Sequence, residues 1–201
     1  MEKLTEKSSY EDLNAAWWKV ENYTSSAMRP TEGKFNKNTR VIFRRVNTPE
    51  KIPALYLFAK ERRDVRIMTL SMLLVEGSEG TTVVTKSLND GSNESLFMLR
   101  SHAVNRYMQR HGFSGDYETC QEYLMSNLWI NSQNVNKYTQ ELIIYFNGGV
   151  FLGNIKDKVY YVNTYVLNPH LYPNQRLVSR RLQNNIEEAF AEYERQHSTK
   201  H

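Results

Sequence analysis

Apolar residues recur along this chain with two different periods, and each change of period marks a change of element. From Ser9 onward Leu13, Ala16, Trp17, Val20 and Ala27 return every three to four residues, the stripe of a helix lying on a core. Ser9 followed by Asp12 gives that helix a capping-box-like start. Pro30 and the polar run 31–38 end it and make a linker. Residues 40–46, 54–59, 65–75, 81–88 and 95–99 then predict strands, punctuated by Pro53, Gly77, Gly80 and the Asn-Asp-Gly-Ser-Asn turn at 89–93. Within the third strand, 70–75 is broken only by Ser71, which suits a strand buried on both faces or a helix.

The period returns to helical at Ser101, placed as a cap, and Gly112 stops that helix. A second helix over about 116–130 turns Tyr117, Cys120, Leu124, Leu128 and Trp129 inward. Three strands follow at 138–146, 149–155 and 159–166, joined by Asn147-Gly148-Gly149 and Lys156-Asp157-Lys158. Asn-Gly is a hairpin signal because both central turn positions need positive φ. Pro173 and Asn174 open a last helix with Val178, Leu182, Ile186, Ala189, Phe190 and Tyr193 on one face. The pattern predicts an α+β protein: an N-terminal helix and β-rich region, two helices, an antiparallel β-meander and a C-terminal helix. Its divisions are 1–38 (helix and linker), 39–100 (β-rich platform), 101–196 (α+β module) and 197–201 (tail).

Composition narrows the picture. The 201 residues are 40% apolar and 12% aromatic, including thirteen tyrosines, which suits a chain that buries a core. The single cysteine, Cys120, excludes an internal disulfide and a cysteine-based zinc cluster, and its setting predicts an inert packing residue. The charged N-terminus is followed by no apolar run, so neither a leader nor a membrane span is expected and a cytoplasmic location is the expectation. Net charge is only +4, but 29–66 is strongly basic, with Arg44, Arg45, Arg62 and Arg63 inside it; Arg176, Arg180 and Arg181 form a second cluster. Such surfaces suit a polyanion, and they equally suit solvated strand and loop charges.

The densest chemistry lies at Ser101-His102-Ala103-Val104-Asn105-Arg106-Tyr107-Met108-Gln109-Arg110. Four-residue spacing places His102, Arg106 and Arg110 on one slanting stripe of a helix, leaving Ala103, Val104, Tyr107 and Met108 for a core. Metal-free RNA cleavage needs a proton-transfer group near neutral pKa and cations aimed at phosphate oxygens. His102 suits the first role and the planar forks of Arg106 and Arg110 the second. Thr164 and Tyr165, at the end of the last strand, add hydroxyls that orient a phosphate or replace an acid. The structural alternative is that the imidazole bonds a carbonyl and the arginines brace a sheet. His111, His170, His197 and His201 are weaker candidates, Trp17-Trp18 and Tyr160-Tyr161 suit base stacking or core packing, and no metal-ligand spacing is present.

Ser101, His102, Arg106 and Arg110, followed by Gly148, Gly149, Gly153, Asn163-Thr164-Tyr165 and Gln175, resemble a group of small bacterial and phage proteins of Bacteroides-type genomes and mobile elements. In that group a Ser-His-x-x-x-Arg-x-x-x-Arg helix precedes a Gly-rich hairpin. The resemblance covers about 97–182, and Asn163 stands where many members carry a basic residue. More distantly, the helix-then-sheet order is similar to the ribonuclease-toxin fold of barnase, colicin and RelE type. The resemblance implies a metal-independent, toxin-like RNA endonuclease or a degenerate relative, needing no cofactor. RNA, or a protein such as an antitoxin, would be its partner. The competing expectation is a non-catalytic nucleic-acid- or protein-binding module of a phage or mobile element.

Overall fold

The structure, a computed structural model, describes residues 3–36, 40–60, 67–87, 94–128, 133–136 and 138–198. Arg62, Arg63, Trp129, His201 and the 89–93 turn lie outside the described residues. Two compact units divide the chain, one of 1–102 with 157–160, the other of 103–156 with 161–201. The fold is α+β.

The first unit is an antiparallel sheet backed by helices. Helix α1 (Tyr10–Asn22) starts as its spacing predicts: Ser9 accepts from the Asp12 N–H at 3.1 Å and donates to Asp12 Oδ2 at 2.7 Å. A short helix α2 (Thr24–Met28) and a 3-10 stretch (Arg29–Lys34) follow, Pro30 standing where its missing N–H leaves no bond unmade. Strands β1 (Val41–Asn47), β2 (Pro53–Lys60), β3 (Ile67–Gly77), β4 (Gly80–Lys86) and β5 (Leu96–Leu99) pair antiparallel in chain order. The 70–75 run is therefore strand.

Directly opposed residues share a face, and Tyr56 opposite Ser71 marks the face under α1. There Trp17 Nε1 donates to the Ser71 carbonyl at 2.9 Å, and the Tyr56 hydroxyl donates to the Val20 carbonyl at 2.7 Å. The largest side chains of this contact thus bury their rings with their polar atoms satisfied. Leu13 and Val20 are fully buried beside them, each contributing about 1.5–3 kcal/mol. Lys86, at the end of β4, is only 7% exposed. Its ammonium donates to Asn14 Oδ1 at 2.8 Å and lies 5.3 and 5.6 Å from the Trp17 and Trp18 rings, so cation–π attraction offsets part of its desolvation.

Helix α3 (Ser101–His111) begins with Ser101 and His102 in the first unit, runs on in the second, and ends at Gly112, whose φ of 68° a side chain would resist. Helix α4 (Tyr117–Asn127) is capped by Asp116, which accepts from the Thr119 N–H at 2.7 Å. Cys120, Leu124 and Leu128 are buried as predicted, with Gln121 and Met125. Strands β6 (Gln133–Asn136), β7 (Glu141–Phe146), β8 (Gly149–Lys156) and β9 (Val159–Leu167) lie in the order β9-β8-β7-β6. The single strand expected at 138–146 is corrected: Tyr138 is 99% exposed in a turn that Asn136 Oδ1 closes by accepting from the Tyr138 and Thr139 N–H groups, and β6 precedes that turn. The Asn147-Gly148 hairpin has the predicted positive φ at both positions, 46° and 72°. Helix α5 (Pro173–Ser198) packs Leu182 and Val178 on Ile143, Val150 and Leu171. Its predicted apolar face is shorter than expected, for Ala189 and Phe190 are exposed, and the Tyr193 side chain lies outside what is described.

Candidate acid–base site at the start of helix α3

The turn joining β3 to β4 places Glu79 beside the start of α3. Gly77 makes the approach feasible: a Cβ there would lie 2.5 Å from both Ser101 Oγ and Thr82 Oγ1. Ser101 is fully buried. Its hydroxyl accepts from the Glu79 N–H at 3.1 Å and its own N–H donates to Thr82 Oγ1 at 3.0 Å. Thr82 in turn donates to Glu6 Oε2 at 3.1 Å. The expectation that Ser101 caps α3 is thereby corrected; it is the first residue of the helix, and its hydroxyl serves the β3–β4 turn.

That turn delivers the carboxylate. His102 Nδ1 donates to Glu79 Oε1 at 2.6 Å, with side chains 35% and 43% exposed. A pair this open adds only about 0–1 kcal/mol to stability, so its consequence is orientation. With Nδ1–H held by the carboxylate, the neutral ring carries its lone pair on Nε2. Glu79 thereby sets the tautomer and orientation of the ring, as in other carboxylate–histidine pairs.

The other sequence-predicted residues have separate settings. Arg106 is half-buried and donates to Gln109 Oε1 at 3.1 Å. Arg110 donates from Nη1 to the Tyr165 main-chain carbonyl, the sheet-bracing role set out as the structural alternative. Tyr165 is fully buried, its hydroxyl 3.0 Å from both the Phe146 and Asn147 carbonyl oxygens to which it donates. Burial pushes its phenol well above the ordinary range. Tyr165 is thus a core residue of an aromatic cluster with Tyr107, Phe146 and Phe151, its ring 5.0 Å from Tyr107 and 4.9 Å from Phe151. Thr164 is half-buried. In the same unit Asn147 Nδ2 donates to the Tyr107 and Tyr123 hydroxyls at 3.0 and 2.9 Å.

The basic candidates divide likewise. Arg44 donates to the Ala27 carbonyl at 2.9 Å and ties β1 to α2. Arg45 is half-buried on β1. Arg176, Arg180 and Arg181 are all exposed on α5, and Arg176 donates to the Leu171 and Pro169 carbonyls at 2.9 and 2.8 Å. Among the described residues no three His, Cys, Asp or Glu side chains come together as a metal site, and no helix is long and apolar enough to cross a membrane. Glu79 escapes sequence reasoning because it lies 23 residues before His102; the signal present was an acid in a two-residue turn flanked by Gly77 and Gly80. No family model, curated protein or solved structure matches the chain.

Proposed function

We propose that this chain is an RNA-directed endonuclease of the metal-independent, toxin-like kind, with His102 as its proton-transfer group and Glu79 as the residue that positions it. The observation that supports the reading is the 2.6 Å bond between His102 Nδ1 and Glu79 Oε1 in a half-exposed pair. His102 Nε2 takes the proton of a ribose 2′-hydroxyl, O2′ bonds to phosphorus, and the P–O5′ bond breaks with the leaving O5′ protonated by water, giving a 2′,3′-cyclic phosphate and a 5′-hydroxyl. A cytoplasmic location goes with this reading.

The proposed mechanism gives no role to Tyr165, which is buried, and uses neither Arg110, whose Nη1 donates to the Tyr165 carbonyl, nor Thr164. That same commitment favours a second reading, a module that binds RNA or a protein partner such as an antitoxin and cuts nothing. Incubating the purified chain with single-stranded and structured RNA in the presence of a chelator separates the two. Cyclic-phosphate ends support the nuclease, and binding without cleavage supports the module.

A further inference from the structure

The outer face of α5 carries its charges in blocks, two arginines followed by two glutamates. Leu177, Arg180, Arg181, Asn184, Glu187, Glu188 and Ala191 are all exposed, and at 100° per residue they fall within a sector of about 120° centred on Asn184. Buried Ser179 and Leu182 lie on the opposite side. On this face Arg180 and Arg181 precede Glu187 and Glu188, and Arg195, paired with Glu192 at 2.9 Å, follows them.

The spacing does not pair these blocks within one chain. Charges stabilise one another along a helix at three or four residues. The residues at those distances after Arg180 and Arg181 are Gln183, Asn184 and Asn185, all uncharged, while Glu187 and Glu188 stand about two turns away. Glu187 accepts from Gln183 at 2.9 Å instead. From 177 to 191 the pattern is complementary to itself reversed: Arg180 and Glu188, Arg181 and Glu187, and Leu177 and Ala191 each lie equally far from Asn184 on either side.

We propose that the outer face of α5 is the surface on which two copies of this chain pair antiparallel, with Asn184 at the twofold axis. The arginines of each copy face the glutamates of the other, and Leu177, 69% exposed in the single chain, covers Ala191 of the second copy. The seam is polar and short, so the dimer is weak and salt-sensitive. This proposal is independent of the RNA reading and withdraws Arg180 and Arg181 from the nucleic-acid surface.

Sedimentation velocity on the full chain from about 5 to 500 µM tests it at low and high salt. The expected result is a dimer fraction that rises with concentration and falls with salt. Arg180→Glu with Arg181→Glu, and Glu187→Arg with Glu188→Arg, each give monomers, and mixing the two variants restores dimer. Thermal melting of each variant checks that it is folded. Asn184→Cys, with buried Cys120 as the unreactive internal control, oxidises to a covalent dimer, and Leu177→Cys does so less. A chain that stays monomeric at every concentration, or a dimer indifferent to both charge reversals, overturns the proposal. So does loss of RNA binding by the arginine reversal in an always-monomeric chain, which assigns the face to nucleic acid.

Discussion

Glu79 reaches His102 from the β3–β4 turn and bonds its Nδ1 at 2.6 Å, so a two-residue loop decides which imidazole nitrogen carries the lone pair. The contact depends on a buried relay beneath it, in which Ser101 accepts from the Glu79 N–H and donates its own N–H to Thr82.

Disturbing that relay costs stability and loosens the pair. Ser101→Ala leaves the Glu79 N–H without its acceptor and destabilises the chain by about 1–2 kcal/mol. Gly77→Ala, which drives a methyl against Ser101 Oγ and Thr82 Oγ1, costs about 1–3 kcal/mol. Denaturant midpoints measure both. Ser101→Ala with Thr82→Ala is expected to cost less than the two single changes added, because they share one network. Strict additivity would show that the relay is not a unit.

Removing the Tyr165 hydroxyl is a stability change. Tyr165→Phe strips the Phe146 and Asn147 carbonyls of their shared donor and costs about 1–2 kcal/mol by chemical denaturation. RNA cleavage normalised to folded protein stays within about twofold of the parent, since no transition-state contact is lost. A large drop in cleavage with stability unchanged would return Tyr165 to the site.

Alkaline pH destabilises the fold through the same buried groups. Burial pushes the Tyr107 phenol up to about 12 and the Cys120 thiol up to about 12, from ordinary values of 10.0 and 9.0, and it raises Tyr56 and Tyr165 further. These groups are neutral when protonated, so the unfolded chain ionises first as pH rises. Their stabilising effect is complete below about pH 9 and is lost progressively from there toward 12 and beyond. Urea midpoints across pH 8 to 11.5 should hold level and then fall. Tyr165→Phe, which has no phenol to ionise, should fall less steeply above pH 10.

Lys86 anchors α1. Lys86→Ala removes the bond to Asn14 and the ammonium held over Trp17 and Trp18, and destabilises the chain by about 2–3 kcal/mol. Trp18, 47% exposed, reports it as a change in fluorescence. A stability unchanged from the parent would show that the cage contributes nothing net.

The strands and helices were legible wherever one face is apolar. Leu13, Ala16, Trp17 and Val20 on α1 emerge from periodicity, the β1–β5 strands from periodicity and their Pro and Gly punctuation with described ends within two residues, and Asn147-Gly148 declares its hairpin through positive φ. Strand β6 was not legible because Gln133-Asn134-Val135-Asn136 has one apolar residue and is held by pairing to β7. The exposed end of α5 was misjudged because a helical stripe is readable from sequence and the extent of its covering surface is not. His102 was readable as chemistry from its place on α3. Glu79 was not, since a contact across 23 residues depends on how the turn folds back. Ser101 fits a cap by position, and only the nearness of the Glu79 N–H shows where its hydroxyl is used.

RNA cleavage in chelator by the parent, His102→Ala and Glu79→Gln, with product ends analysed and each variant's folding confirmed, tests the central claim most directly. The account predicts that the parent yields 2′,3′-cyclic phosphates, that His102→Ala falls by about a hundredfold or more, and that Glu79→Gln, which keeps a hydrogen-bonding oxygen but loses the charge, falls in between. A folded His102→Ala that cuts as fast as the parent, or a parent that binds RNA and cuts none, contradicts it.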